Sequence, residues 1–386
     1  VFTGLLLSEV LVRITSFSEP KADIIPDEVF GKTYIPNLKI VQFGACPKSR
    51  ETQYLFESNS RGLRDQEYSY KKSDNKRILI LGDSFTAGRV AFQNTFPELL
   101  EKRLKENDNK WQVINAGHDG WGTDNEFLFF ENEGYKYQAD LVILAFFLND
   151  VTDLLSNGYF NIDSNDNLIF NGVSSKNYRK DLIEDKNKDS FVDTRPLYKK
   201  LLSHLELYRF MGQAVLPDFP KVENFLYKIG LISKVVARAR PPLFFDLYAD
   251  DYDADMVEAW EVTMRLILKI KEKSIAQHSR FGVVFINAPW QVYEDEVKKY
   301  NELYPSIRTY FSHNVNKPDE ILIKFLREKN IPYLHLLPYF KEYYANTKKR
   351  LHFRCDSHWN ILGNQLASEL IYNWMVENQL LPQVNG

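Results

Sequence analysis

The chain is poor in cysteine: 386 residues hold only Cys46 and Cys355. Two thiols so far apart make neither a disulfide framework nor a closely spaced metal-binding pair. They either pair with each other, which requires a compartment outside the cytosol, or remain two buried thiols. Charge of either sign is not in excess: 49 Lys and Arg face 52 Asp and Glu, for a net charge of −3. With no basic stripe carrying interleaved aromatics, nothing points to nucleic acid as a partner. Long apolar runs are missing too. The opening VFTGLLLSEVLVRI is interrupted by Glu9 and Arg13 and is too short to span a membrane. Residues 1–18 are therefore read either as the remnant of a membrane anchor or signal, or as an amphipathic helix docked on the domain.

Cofactor signatures are also lacking. Gly117, Gly120 and Gly122 run G-x-x-G-x-G, which is not the dinucleotide order, and the turn from Gly82 to Gly88 lacks the Gly-Lys-Ser/Thr ending of a phosphate loop. His204, His278, His313, His335 and His352 are scattered as surface or core histidines, and His118 reads as a loop residue. No ligand cluster emerges, so neither a metal nor a cofactor is expected. There is no internal repeat.

What is present is an alternation of strand and helix from residue 77 onwards. Ile78, Leu79, Ile80 and Leu81 form an unbroken apolar run, the mark of a strand buried on both faces. Helical spacing comes next at 96–104, then a short strand at 112–115, a helix at 126–134 and a third apolar run at 141–147. A helix at about 255–278 precedes a strand at 282–287. A helix near 318–329, a strand at 332–336 and a last helix at 361–376 complete five units. Such alternation implies a parallel sheet covered on both faces. Before it, 19–76 reads as loops and short strands packed on the core. Between the third and fourth units, 151–253 breaks the pattern as a large insertion. Its stretches 161–171 and 176–189 are polar or charged and read as loops, while 198–210 and 222–240 have helical spacing. An insertion after the third strand lies on the ligand side of such a sheet, where it would serve as a lid or substrate wall. The aromatic share of 14 % serves a large core first and also suits a cleft that stacks on sugars or acyl chains.

Four element ends carry polar residues that a core does not require: Gly82-Asp83-Ser84, Asn115-Ala116-Gly117, Asn149-Asp150, and Asp356-Ser357-His358-Trp359-Asn360. Taken singly each has a plain reading. Ser84 could cap the helix after it, Asn149 could close a turn, and Asp150 could be a cap for the next segment. Taken together they hold the parts of a triad, with Ser84 as nucleophile, His358 as base and Asp356 orienting the imidazole. The N–H groups of Ser84 and Gly117 and the Asn149 amide are suitable donors for an oxyanion.

These four blocks, in this order, resemble the SGNH (GDSL-type) hydrolase superfamily. The resemblance runs from about residue 77 to the C-terminus, excluding the insertion. It implies a flavodoxin-like three-layer α/β/α sandwich around a parallel five-stranded sheet, with Ser84, Gly117, Asn149 and His358 matching the nucleophile, glycine, asparagine and histidine blocks. The core would be 77–150 with 254–386. Two positions depart from the family pattern. Phe147 stands where a glycine is usual, and Asp356 precedes the histidine by two residues where three are usual. The Asp-x-His-Trp form resembles relatives that move acetyl groups on and off polysaccharides. The turn at 59–64 resembles larger membrane-associated or secreted bacterial members. The expectation is a serine esterase acting on, or transferring, a small acyl group of a small-molecule or polysaccharide ester. It would work without cofactor or metal, outside the cytosol, with N-terminal membrane anchoring as one arrangement. The alternatives are a lipase or thioesterase for longer chains and a non-catalytic carbohydrate-binding protein of the same fold.

Overall fold

The computed structural model describes residues 24–43, 53–173, 242–304, 307, 314–354 and 356–382. Several expectations lie outside them: the segment 1–18, both cysteines, the charge run 176–189 and the helical spacings at 198–210 and 222–240.

Two small antiparallel pairs come first, β1 (Ile24–Asp27) with β2 (Gly31–Tyr34), and β3 (Lys39–Phe43) with β4 (Gln53–Glu57). The core then starts with β5 (Lys76–Gly82), whose Ile78–Leu81 side chains are fully buried. The short helix α1 (Ser84–Ala87) comes at once, then α2 (Phe96–Lys105), β6 (Trp111–Gly117), α3 (Thr123–Asn132), β7 (Leu141–Phe146) and α4 (Asn149–Asn157). An antiparallel hairpin, β8 (Phe160–Ile162) with β9 (Leu168–Phe170), leads into the undescribed stretch. Beyond it come α5 (Ala254–Ala276), β10 (Arg280–Phe285), α6 (Pro289–Val292), α7 (Glu294–Leu303), α8 (Lys317–Glu328), β11 (Tyr333–His335), α9 (Leu337–Thr347) and α10 (Ile361–Glu377).

The sheet order is β11-β10-β7-β5-β6, and every neighbouring pair is parallel. Counted within the core this is the doubly wound 2-1-3-4-5 order, whose ligands sit at the carboxyl ends where the order reverses. Helices α2 and α10 pack together, and α3, α4 and α5 form another packed group. The five-stranded parallel α/β sandwich expected from the periodicity is the fold observed. Central strands β5 and β7 read as continuous apolar runs because each is covered by helices on both faces.

Two local expectations differ. The helix anticipated at 126–134 starts at Thr123 because Gly122 accepts Glu126 N–H (3.1 Å), while Asn125 Oδ1 takes Gly122 N–H (3.0 Å). The polar stretch 161–171 is a hairpin and not a solvated loop. Asp163 closes it by accepting the N–H groups of Asn165 (2.9 Å) and Asn167 (2.8 Å), an Asx turn between two short strands. Helix α4 also carries the packed core past residue 150, burying Val151 and Leu154. Among the described residues no helix is long and apolar enough to cross a membrane.

The segment before β5 does more than cover the core. Asn59 Oδ1 accepts the N–H groups of Arg61 (2.9 Å) and Leu63 (3.0 Å), which folds the turn that delivers Arg64. Arg64 is fully buried, lies over the ring of Tyr54 (4.6 Å), and donates to the carbonyls of Ala87 (2.6 Å), Gly88 (2.5 Å) and Val90 (2.5 Å). It thus holds the chain just beyond α1. Removing it orphans three carbonyls at once, so Arg64→Ala should lower stability by about 3 kcal/mol or more in urea denaturation. Arg64→Lys should recover only part of that loss, because an ammonium cannot span three acceptors in a plane.

Candidate active site

The nucleophile turn starts where β5 stops. Asp83 is the cap of α1: its Oδ1 accepts Phe85 N–H at 2.8 Å. Ser84 is the first helical residue, so its hydroxyl is not occupied in capping. Ser84 Oγ lies 2.7 Å from His358 Nε2, 274 residues away in sequence. Its own N–H makes no hydrogen bond among the described residues, as befits the first turn of a helix.

His358 is delivered by a pinned loop. His352 and Trp359 form an antiparallel bridge, with Phe353 N–H donating to His358 O (3.0 Å) and Asn360 N–H to Leu351 O (3.0 Å). Asn360 then caps α10 through Gly363 N–H (2.9 Å) and donates its amide to Arg350 O (2.8 Å). Asp356 Oδ1 accepts both the main-chain N–H of His358 (3.0 Å) and the ring Nδ1–H. Burial would raise the Asp356 carboxyl, but the facing His358, together with Arg89, holds it well below the usual carboxylate range. An ionised Asp356 on Nδ1 leaves Nε2 free to accept the Ser84 proton.

The two remaining expected residues are both at the site, with different outcomes. Gly117 is in register with Gly82 across β5 and β6. Its N–H donates to Asn115 Oδ1 at 2.9 Å, a bond that an incoming oxyanion would have to displace. The glycine is also required for a steric reason: a Cβ there would lie 2.3 Å from Ala87 N and 2.5 Å from Thr86 Cβ. Asn149 opens α4 beside the nucleophile turn. Its Nδ2 donates to Asp153 Oδ2 (2.8 Å), and its amide also lies against the Asp83 carboxylate. Burial raises Asp83 to about 6, against the opposing pull of Phe85 N–H and His358. Phe147 packs on Phe85 (4.5 Å between centroids), which in turn lies 4.8 Å from the His358 ring.

Sequence reasoning missed a second group of residues around the triad. Arg89 Nη1 pairs with Asp119 Oδ2 at 2.8 Å, and Asp119 N–H donates to Tyr34 Oη at 2.9 Å. Burial would raise Asp119, but Arg89 holds it below its ordinary value. The His118 ring is sandwiched between Tyr34 (3.9 Å) and Trp121 (5.0 Å). Burial pushes its imidazole down to about 4, so it stays neutral at pH 7. These contacts join β2 to the loop after β6, and no sequence pattern announces them. The capping role of Asp83 did have a signal, since aspartate directly before a helix is a strong cap.

No family model matches the chain, and no curated protein matches it. Among solved structures it is similar to an acetyl xylan esterase, at 13 % identity over 77 % of this chain and 98 % of that one, with a TM-score of 0.39. It is also similar to a lipase/acylhydrolase from Enterococcus faecalis, at 12 % identity over 80 % and 98 % of the two chains, TM-score 0.39. A GDSL-like lipase from Bacteroides thetaiotaomicron matches at 11 % identity over 81 % and 93 %, TM-score 0.36. Likenesses at these scores do not decide an activity. Any functional reading stands on Ser84, His358 and Asp356 themselves.

The geometry leads to two expected outcomes. Gly117→Ala should drive the α1 backbone away from β6, and a displacement of about 1 Å at a nucleophile lowers kcat/KM by about 100-fold. His118 favours its neutral form only when folded, so wild type loses stability as pH falls from about 6.5 towards 4. Any advantage of wild type over His118→Gln in urea denaturation at pH 7 should therefore shrink by roughly 2–3 kcal/mol at pH 4.

Proposed function

We propose that the chain is a serine esterase that removes, or transfers, a small acyl group on a carbohydrate through an acyl-enzyme at Ser84. The observation that carries this reading is the 2.7 Å contact between Ser84 Oγ and His358 Nε2, with Asp356 on the other ring nitrogen. Ser84 Oγ attacks the ester carbonyl as its proton passes to His358 Nε2, and the carbonyl π electrons move onto oxygen. The tetrahedral species collapses, breaking the bond to the alcohol, which leaves with the proton from Nε2–H. Water or a sugar hydroxyl then attacks the acyl carbon, giving its proton to His358. The second collapse returns both the electron pair and that proton to Ser84.

The Ser84 N–H, unengaged among the described residues, is the donor best placed to serve the oxyanion, and the Asn149 amide, held by Asp153 and Asp83, would have to release one of those carboxylates to join it. The acyl group is taken to be acetyl because aromatic side chains crowd the imidazole. Phe85 and Phe147 pack against each other beside the imidazole, and Ser84 is 9 % exposed. The Asp-x-His-Trp block supports a carbohydrate alcohol through its resemblance to polysaccharide acetyl-group enzymes. The same reading places the protein outside the cytosol, where cell fractionation with an antibody would find it.

Wild type should hydrolyse p-nitrophenyl acetate, and Ser84→Ala should be slower by on the order of 10⁴-fold. Equal rates for the two would end the proposal. Rates that climb from acetate past butyrate would replace the acetyl reading with a longer-chain lipase or thioesterase.

A further inference from the structure

The loop that carries Asp356 and His358 is fastened from a second side, by a tyrosine that the ester chemistry does not use. Tyr293 stands between α6 and α7 and is buried. Its hydroxyl accepts Leu351 N–H at 2.8 Å and lies 3.1 Å from His352 Nδ1. The His352 ring reaches back past the end of β10 to Asn287, with Nε2 nearer the Asn287 carbonyl (3.3 Å) than its side-chain amide (3.5 Å). A carbonyl only accepts, so Nε2 carries the ring proton and Nδ1 accepts the Tyr293 O–H. Burial pushes this imidazole down to about 3, in keeping with a neutral ring at pH 7.

Arg350, one residue earlier, is tied to the same helix. Its guanidinium lies over the Tyr293 ring, 4.0 Å from the centroid, and pairs with Asp295 (2.7 Å) and with Glu296. Lys299 pairs with Glu296 (2.9 Å) and donates to Arg354 O (3.1 Å). The start of α7 therefore grips residues 350, 351, 352 and 354, just ahead of Asp356. From there the contacts run on into the catalytic loop. Leu351 gives its N–H to Tyr293 and takes Asn360 N–H on its carbonyl, His352 bridges Trp359, and Phe353 N–H donates to His358 O. Ring packing follows the same route: Phe340 lies against His352 (5.8 Å) and Trp359 (5.4 Å), and Trp359 against Phe85 (5.3 Å), the neighbour of Ser84.

We propose that Tyr293, acting with His352, is a positioning residue for His358, its hydroxyl setting the loop so that Nε2 meets Ser84 Oγ. This role rests on the esterase reading; the hold on the Asp356–His358 hydrogen bond does not. The nucleophile is placed by β5, and the histidine arm by β10 through α6 and α7, so both arms refer to one sheet. Without the hydroxyl, the buried Leu351 N–H and His352 Nδ1 both lose this partner, and the chain must shift to satisfy them. A displacement of about 1 Å at a reacting group lowers turnover by about 100-fold.

The test has two arms. The Nδ1–H of His358 on Asp356 gives a far-downfield proton resonance, identified by its loss in Asp356→Asn. In Ser84→Ala, which lacks the nucleophile, adding Tyr293→Phe should shift or broaden that resonance, whereas adding Tyr68→Phe should leave it. Tyr68 is the control because its hydroxyl is likewise buried, donating to Glu101 Oε2 at 2.7 Å beside β6. In the kinetic arm, on p-nitrophenyl acetate, Tyr293→Phe should lower kcat by about tenfold or more with KM within about twofold. Tyr68→Phe should lose similar stability in urea and keep kcat within about twofold. Tyr293→Phe and His352→Phe together should lose less than the product of their single losses, since the two side chains act as a unit. Wild-type kcat in a folded Tyr293→Phe, an equal loss in Tyr68→Phe, or an unmoved resonance overturns the positioning role. Absence of the resonance in Ser84→Ala removes the bond on which the proposal depends and overturns it as well. If wild type hydrolyses no ester, the esterase reading fails and the resonance still decides the hold on His358. Should Tyr293→Phe not fold, His352→Phe is read in the same two ways.

Discussion

The site depends on a backbone constraint: β5, β6 and β7 end level with one another. Gly82 pairs with Gly117 on one side and with Ala145 on the other, so the turns after the three strands open into the same small volume. The nucleophile turn then presses directly on β6, with no room for a side chain at Gly117. A parallel ladder fixes register through evenly spaced bonds along the whole strand, and the fully buried faces of β5 and β7 forbid a slip by one residue. The placement of Ser84 is therefore a consequence of core packing several residues away. Arg64 completes the constraint from outside by binding the three carbonyls just beyond α1.

Electrostatics adds a second layer. Most carboxyls around the turn are buried, and the fold treats them in two ways. Asp119 faces Arg89, and Asp356 accepts the Nδ1–H of His358 with Arg89 nearby, and both carboxyls are held low despite burial. Glu126 and Asp150 face other carboxyls, and burial with those neighbours raises both well above the ordinary carboxylate range. Asp83 stands between these regimes: raised by burial, it is still drawn down by Phe85 N–H and His358. A negative charge near the imidazole favours the imidazolium that forms when Ser84 gives up its proton, whereas further charge would have to be desolvated at greater cost.

The legible part of this arrangement was the part written in local pattern. The apolar run at Ile78–Leu81 announced the central strand, and the strand and helix alternation announced the sheet. The four blocks named Ser84, Asn149, Asp356 and His358 because triad chemistry needs those residue types at element ends. For Gly117 the sequence showed a possible N–H donor but not the steric need, since a glycine after a strand offers both an N–H and a lack of side chain. The Asn115 side chain, folding back two residues onto that N–H, was not legible in the sequence. Arg64, Tyr34 and the Arg89–Asp119 pair were illegible because their partners are 23 to 85 residues away, joined by no repeat or motif. The hairpin at 160–170 was missed because its Asn and Asp content reads as a loop until Asp163 is seen closing an Asx turn.

The two-residue spacing between Asp356 and His358, which departs from the usual three, has a local explanation. Aspartate readily accepts the backbone N–H two residues on, and Asp356 Oδ1 does this with His358 at 3.0 Å. The same oxygen takes the ring Nδ1–H. One carboxylate oxygen therefore fixes both the main chain and the imidazole of the same residue, and a single Asx turn sets the loop, the ring orientation and the tautomer together. Here the remaining anchors, the His352–Trp359 bridge and the Asn360 cap, lie on either side of the turn. The Asx turn and its flanking anchors thus hold the imidazole against Ser84 from both the main chain and the ring.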